Sequence, residues 1–106
     1  MNAESTKKLD DRLVEEIKRK YGKRGEKAVK LIQEGRIKKY KDFFVVVSSD
    51  EYVVENDFCT CEDFEFRKME CAHILAVRIA ERTGMYDYYD IFYMDLNPDF
   101  LKRRRR

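Results

Sequence analysis

The 106-residue chain has one histidine, three cysteines and one proline. A single imidazole leaves no second histidine to act as a base, and three thiols cannot complete two disulfides. No stretch approaches the roughly 18 apolar residues of a membrane span. The first 20 residues lack the apolar core of a secretory signal. An odd cysteine count without such a signal points to reduced thiols in a reducing compartment. The expected location is therefore cytoplasmic, or nuclear in a eukaryote, with no membrane partner. The length suits one small domain whose apolar burial alone leaves it marginally stable, so a structural metal would help it fold.

Charge is abundant and unevenly placed. Residues 1–41 carry 14 Lys/Arg against 7 Asp/Glu, whereas residues 42–101 carry 4 against 14, and residues 102–106 are all basic. The expected organisation is a basic helical extension over 1–41, an acidic domain over 42–101 and a basic tail over 102–106. The net charge of +2 hides this division.

Hydrophobic spacing supplies the elements. Leu9, Leu13, Ile17 and Tyr21 recur every four residues and predict a helix over 6–20, with Ser5 or Thr6 as its cap and Gly22 as its stop. A second helix fits 25–34, ended by Gly35. Ile37 to Tyr40, Phe43 to Val47 and Tyr52 to Val54 read as strands, because β-branched and aromatic residues suit a pleated surface. Ser48 to Glu51 reads as the turn between the last two. Cys71 to Arg82 predicts a third helix, followed by Gly84. The aromatic stretch over 85–100 is expected to be mostly core, broken at Asn97-Pro98.

All three cysteines and the histidine fall within 15 residues, as Cys59-Thr60-Cys61, nine intervening residues, and Cys71-Ala72-His73. Three sulfurs and an imidazole in two tight pairs form a donor set suited to tetrahedral Zn²⁺. Residues i and i+2 of a strand lie about 6.5–7 Å apart on one side, whereas two zinc thiolates sit about 3.8 Å apart. The strand end must therefore curl around the ion. Cys71 and His73 cannot both ligate from mid-helix, where i and i+2 diverge, but they can from a helix entrance. Three alternatives stand beside this reading. These residues can be ordinary buried cysteines with a surface histidine. A redox Cys-X-Cys pair would leave Cys71 and His73 without a role, and its usual spacing has two intervening residues. A catalytic zinc needs an open coordination position, which four protein ligands close.

The pattern Cys-X-Cys-X₉-Cys-X-His over Cys59 to His73, with Tyr52-Val53-Val54 before it and Ile74-Leu75-Ala76-Val77 after it, resembles the SWIM zinc finger family. The likeness covers about residues 43–80 and includes Cys59 to Phe64 and Cys71 to Ala76. It implies a hairpin followed by a helix, with Cys59, Cys61, Cys71 and His73 as ligands of one structural Zn²⁺. It also implies that Phe64, Ile74 and Leu75 are core residues, and that the module binds nucleic acid or protein. This chain has Glu62 where many members have proline, and Ala72 where many have lysine. Both changes make the surroundings of the metal less positive and so less suited to phosphate contact.

Lys18, Arg19, Lys20, Lys23 and Arg24 form a basic knot at the junction of the first two helices, extended by Lys27, Lys30, Arg36, Lys38, Lys39 and Lys41. Lys102 and Arg103 open the basic tail. Such clusters bind nucleic-acid backbones through counterion release, although in a charge-rich protein they also serve as solvated helix faces. The expected fold is thus a small α+β zinc-stabilised ββα finger with an N-terminal two-helix extension and a short antiparallel sheet. The expected function is a non-enzymatic accessory protein, binding DNA in a recombination- or repair-type setting by analogy with the resembled family. The competing expectation is a protein-interaction adaptor whose acidic, aromatic half holds the partner. No nucleophile–base pair or small-molecule substrate is indicated.

Overall fold

The computed structural model describes residues 9–55, 58–61 and 70–96. Helix α1 spans Asp11–Tyr21 and buries Ile17. It begins later than its apolar spacing suggests, because Asp10 is extended and its Oδ1 accepts the Leu13 N–H at 2.8 Å. Ser5 and Thr6, the caps expected from sequence, lie outside the described residues. Asp11 in the first turn and Lys18, Arg19 and Lys20 in the last complement the helix dipole. Gly22, at φ 63°, ends α1 and starts α2, which spans Lys23–Gln33. That sign of φ suits glycine and lets one helix follow the other without a loop.

Gly25 explains how closely the two helices cross. A Cβ placed there would lie 2.6 Å from the Ile17 carbonyl oxygen and 3.1 Å from Tyr21 Cβ. The chain tolerates the helix propensity cost of glycine, about 1 kcal/mol against alanine, to bring the backbones together.

The strands are β1 (Ile37–Lys39), β2 (Phe44–Val47), β3 (Glu51–Glu55), β4 (Phe58–Cys59) and β5 (Asp87–Tyr88). They form one sheet in the order β4-β3-β2-β1-β5. As expected, β1 to β4 are antiparallel; β5 adds a parallel edge beside β1. So β1, from the basic N-terminal part, is hydrogen-bonded directly into the sheet that carries the cysteines. Helices α3 (Ala72–Thr83) and α4 (Tyr93–Leu96) complete the described elements.

Register assigns the two faces. Ile37 pairs with Val46, Phe44 with Val54, and Val54 with Cys59, so these side chains share one face. That face packs on α2 and α3, where Ala28, Leu31, Ile32, Ile74, Leu75 and Ala76 meet it in a core containing all three cysteines. Ile74 and Leu75 are thus core, as the family likeness implies, whereas Phe64 lies outside the described residues. Burying a side chain such as Ile37 or Ile74, each 1% exposed, contributes roughly 1.5–3 kcal/mol.

Val45 and Val53 face the other way, where Tyr40, Phe43 and Tyr93 cover them. The aromatic C-terminal segment is only partly core. Tyr93 is buried and Tyr86 packs edge-on against Phe44, but Tyr88, Tyr89, Ile91, Phe92 and Leu96 are exposed. The segment runs along the β1 edge, and one turn of helix brings a single large side chain onto the sheet. No helix among the described residues is long and apolar enough to cross a membrane.

Candidate metal centre

Cys59 closes β4, and Cys61 follows two residues later in a bend. Thr60 sets the curvature between them. Its backbone N–H donates to the Val53 carbonyl at 3.1 Å, and its Oγ1 accepts the Val53 N–H at 3.0 Å. This clamp holds the strand end against β3 while both cysteines are buried. On the opposite side, Cys71 is the N-cap of α3 with extended backbone at φ −97° and ψ 176°. Its carbonyl accepts the first helical bond, from Leu75 N–H at 3.0 Å. His73 lies in the first turn, so the pair occupies the helix entrance that its spacing demands.

The four ligand atoms lie within 4.8 Å of one another, and all four residues are buried. His73 presents Nδ1, at 3.7 Å from Cys59 Sγ and 3.9 Å from Cys71 Sγ. Edges of a zinc tetrahedron with sulfur and nitrogen ligands are about 3.6–3.8 Å, so the donor set and its spacing fit a tetrahedral ion. The ring is fixed from outside by Tyr52, whose centroid stacks 4.5 Å from that of His73 at an interplanar angle of 25°. His73 Nε2 is buried with no hydrogen-bond partner among the described residues. With Nδ1 aimed at the sulfurs, that geometry assigns the metal-facing nitrogen.

Electrostatics prepare the cluster for a cation. The Cys71 thiol is lowered to about 3, first by the hydrogen bond from Cys59, against the opposing effect of burial. Further bonds from His73, the Ile74 N–H and Cys61 act in the same direction. The same Cys59–Cys71 bond pushes the Cys59 thiol up, and burial adds to it. Within this coupled pair Cys71 is the sulfur favoured as thiolate and Cys59 the one disfavoured. All three cysteines are free, the condition a metal site requires and a disulfide would abolish.

The basic residues lie apart from this centre. Lys18, Arg19, Lys20 and Lys23 are exposed around the α1–α2 joint, and Arg24 is half-buried. Lys20 Nζ and Arg24 Cζ lie 5.4 and 5.7 Å from the Tyr21 ring centroid, so one aromatic ring gathers two of the cations. Lys102 and Arg103 lie outside the described residues. Sequence reasoning did not single out Thr60 or give Tyr52 a role at the metal. Thr60 was discoverable only as the spacer of Cys-X-Cys, and Tyr52 only as the first apolar residue of its strand.

The SWIM zinc finger family model matches residues 43–80, which run from the start of the hairpin through most of α3. A chain from Archaeoglobus fulgidus named "Uncharacterized protein" is 51% identical over 88 residues, covering 80% of this chain and 77% of its own length. No solved structure matches. The matched segment contains the hairpin, the clamp and both ligand pairs, and by these features the chain belongs to the SWIM zinc finger family.

Proposed function

We propose that the protein is a non-enzymatic accessory module that binds nucleic acid, held in shape by one zinc ion. Cys59, Cys61, Cys71 and His73 would hold the ion, which supplies structural cross-linking of β4 to α3 and no chemistry on a substrate. Four protein donors close the coordination shell, and the sole histidine is among them. The zinc therefore acts through the fold, by fixing the hairpin against the helix that the rest of the molecule packs on.

The observation that carries the nucleic-acid reading is the cation cluster at the α1–α2 joint. The ion pairs among the described residues are Arg36–Glu34, Lys41–Asp90 and Arg78–Glu70. None uses Lys18, Arg19, Lys20, Lys23 or Arg24. Lys18, Arg19 and Lys23 are exposed there and outside these ion pairs, and such crowded cations suit a phosphate backbone, where each contact releases counterions. Lys102 and Arg103 would add to the same field. DNA is the expected form, in a recombination- or repair-type setting, and that setting rests on family analogy. Fluorescence anisotropy with single-stranded, duplex and branched DNA at two salt concentrations tests the reading. The expected result is binding at low salt that weakens steeply with added salt, and that weakens for every DNA when the five joint cations become glutamine. No binding at low salt, or binding indifferent to those five residues, would contradict it.

A second reading is favoured by the far face of the sheet. There Tyr89, Ile91, Phe92 and Leu96 are exposed on the segment that carries Tyr93. Glu51, Glu55, Asp87, Asp90 and Asp95 lie on this face or its covering segment, against Lys38 and Lys41. An acidic surface with aromatic and aliphatic anchors complements a basic protein segment bearing apolar side chains. In that reading the module is an adaptor, and Phe92→Ala with Leu96→Ala weakens partner capture while DNA affinity is unchanged.

A further inference from the structure

A notch lies between α2 and the turn joining β2 to β3, with a volume of about 390 Å³. Lys27, Lys30 and Leu31 line it from α2, Glu34 and Arg36 from the connection to β1, and Ser48 and Ser49 from the turn. Three cations thus face one carboxylate. That carboxylate, Glu34, lies 3.2 Å from Arg36 in a pair exposed on both sides, a contact worth little in water and readily exchanged for a stronger anion. The neighbouring acids of the turn are engaged by other groups. Asp50 Oδ1 accepts the Glu51 N–H at 2.8 Å, and the Glu51 carboxylate accepts the Tyr93 hydroxyl on the far face of the sheet. A larger groove of about 620 Å³ between α1 and α3 gives the contrast: Lys20, Arg78 and Arg82 there meet Glu16, Glu70 and Glu81, and the charges cancel.

The chemistry of the notch is that of a phosphate receptor. Two ammonium groups and a guanidinium supply charge, the guanidinium supplies a planar fork of donors, and two hydroxyls supply neutral donors. The notch also has a fixed frame. Val47 N–H donates to the Arg36 carbonyl at 2.9 Å, which sets Arg36 beside the turn, and Ser48 N–H donates to the Asp50 carbonyl at 2.8 Å, which closes it. Ser49 Oγ lies 3.3 Å from the Tyr52 hydroxyl, and the Tyr52 ring is the one stacked on His73. A continuous path of contacts therefore runs from the notch to the metal centre.

We propose that this notch seats a phosphate group of a nucleic-acid backbone, and that the zinc centre holds its serine turn in place through Tyr52. The phosphate chemistry follows from the notch itself; its assignment to nucleic acid rests on the function proposed above. The finger then contributes to binding through the polar turn that it braces rather than through its own acidic surface.

The test uses the full-length, zinc-loaded chain and the backbone amide signals of Arg36, Ser48 and Ser49 in two-dimensional NMR. The probes are inorganic phosphate, acetate at matched ionic strength and a single-stranded oligonucleotide. Phosphate should move these signals saturably and acetate should not. Lys27→Gln with Arg36→Gln should abolish the response. The oligonucleotide should move the same signals, and the double variant should flatten the salt slope of its affinity by about 1, as expected for losing one phosphate contact. Signals silent to phosphate, or moving equally with acetate, would overturn the notch. DNA binding that leaves them silent would overturn its role while leaving the joint cluster as the nucleic-acid site. A phosphate response without any DNA binding would overturn the nucleic-acid source and leave a site for free phosphate. Tyr52→Phe keeps the stack and removes the hydroxyl; it should weaken the phosphate response several-fold with zinc content unchanged. An undiminished response in that variant would overturn the link to the metal centre.

Discussion

Asp42 caps a helix that begins 51 residues after it in the chain. Its Oδ1 accepts the Tyr93 N–H at 2.9 Å, and its Oδ2 accepts the Met94 N–H at 3.1 Å. One carboxylate thereby satisfies two of the unpaired N–H groups at the start of α4 and fixes Tyr93 over Val45 and Val53. Without this cap, a helix of four residues has almost no reason to form.

Asp42→Ala should therefore lower stability by about 1–2 kcal/mol and loosen α4 before the rest of the fold. Amide exchange at Tyr93 and Met94 should accelerate well before exchange in α3. Equal protection in variant and parent would show that Tyr93 is held by its ring contacts alone.

Gly25→Ala should destabilise the protein by about 1–3 kcal/mol through overpacking, although alanine is the better helix former. The added Cβ meets the Ile17 carbonyl oxygen, which cannot rotate away as a side chain could. Thermal melts of parent and variant decide this. A variant more stable than the parent would mean that α1 and α2 can separate freely.

The clustering of Cys59, Cys61, Cys71 and His73 was legible because rare residue types occur in paired spacing, and the chain has no other thiol or imidazole. The helices were legible from four-residue apolar spacing, and the start of α3 at Cys71 was legible too, but the starts of α1 and α2 were not. Asp10 won the cap of α1 at a position that the apolar pattern does not mark. Gly25, expected simply to open the second helix, is instead its point of closest approach to α1. β5 is two residues long, too short to show alternation, and it exists because the chain after α3 returns beside β1. Tyr52, Thr60 and Asp42 act through register and through partners distant in sequence. Aromatic composition over 85–100 suggested a core, but composition cannot tell which of several tyrosines reaches the sheet; the geometry of α4 selects Tyr93.

Metal affinity should fall as pH falls. The Cys59 thiol is pushed up, chiefly by its bond to Cys71 and further by burial, so binding must expel protons from the thiols, and protons compete with the metal for every thiolate. Cys71 contributes in the depressed direction. Its stabilisation is present above the ordinary thiol range and is lost progressively as pH falls from that range toward about 3. Between pH 8 and pH 6, competition with a chromogenic chelator should show affinity dropping about tenfold per pH unit for each proton released. A flat profile would mean that the sulfurs are not the ligands.

The account depends most on a single ion shared by Cys59, Cys61, Cys71 and His73. Elemental analysis of protein purified without added metal, paired with melting curves for the parent and for Cys61→Ser and His73→Ala, tests it directly. The predicted result is about one zinc per chain in the parent, loss of that zinc in both variants, and melting of both well below the parent. Structural zinc contributes on the order of 10 kcal/mol, comparable with the whole stability of a small domain. A folded parent without zinc, or variants that melt like the parent, would contradict it.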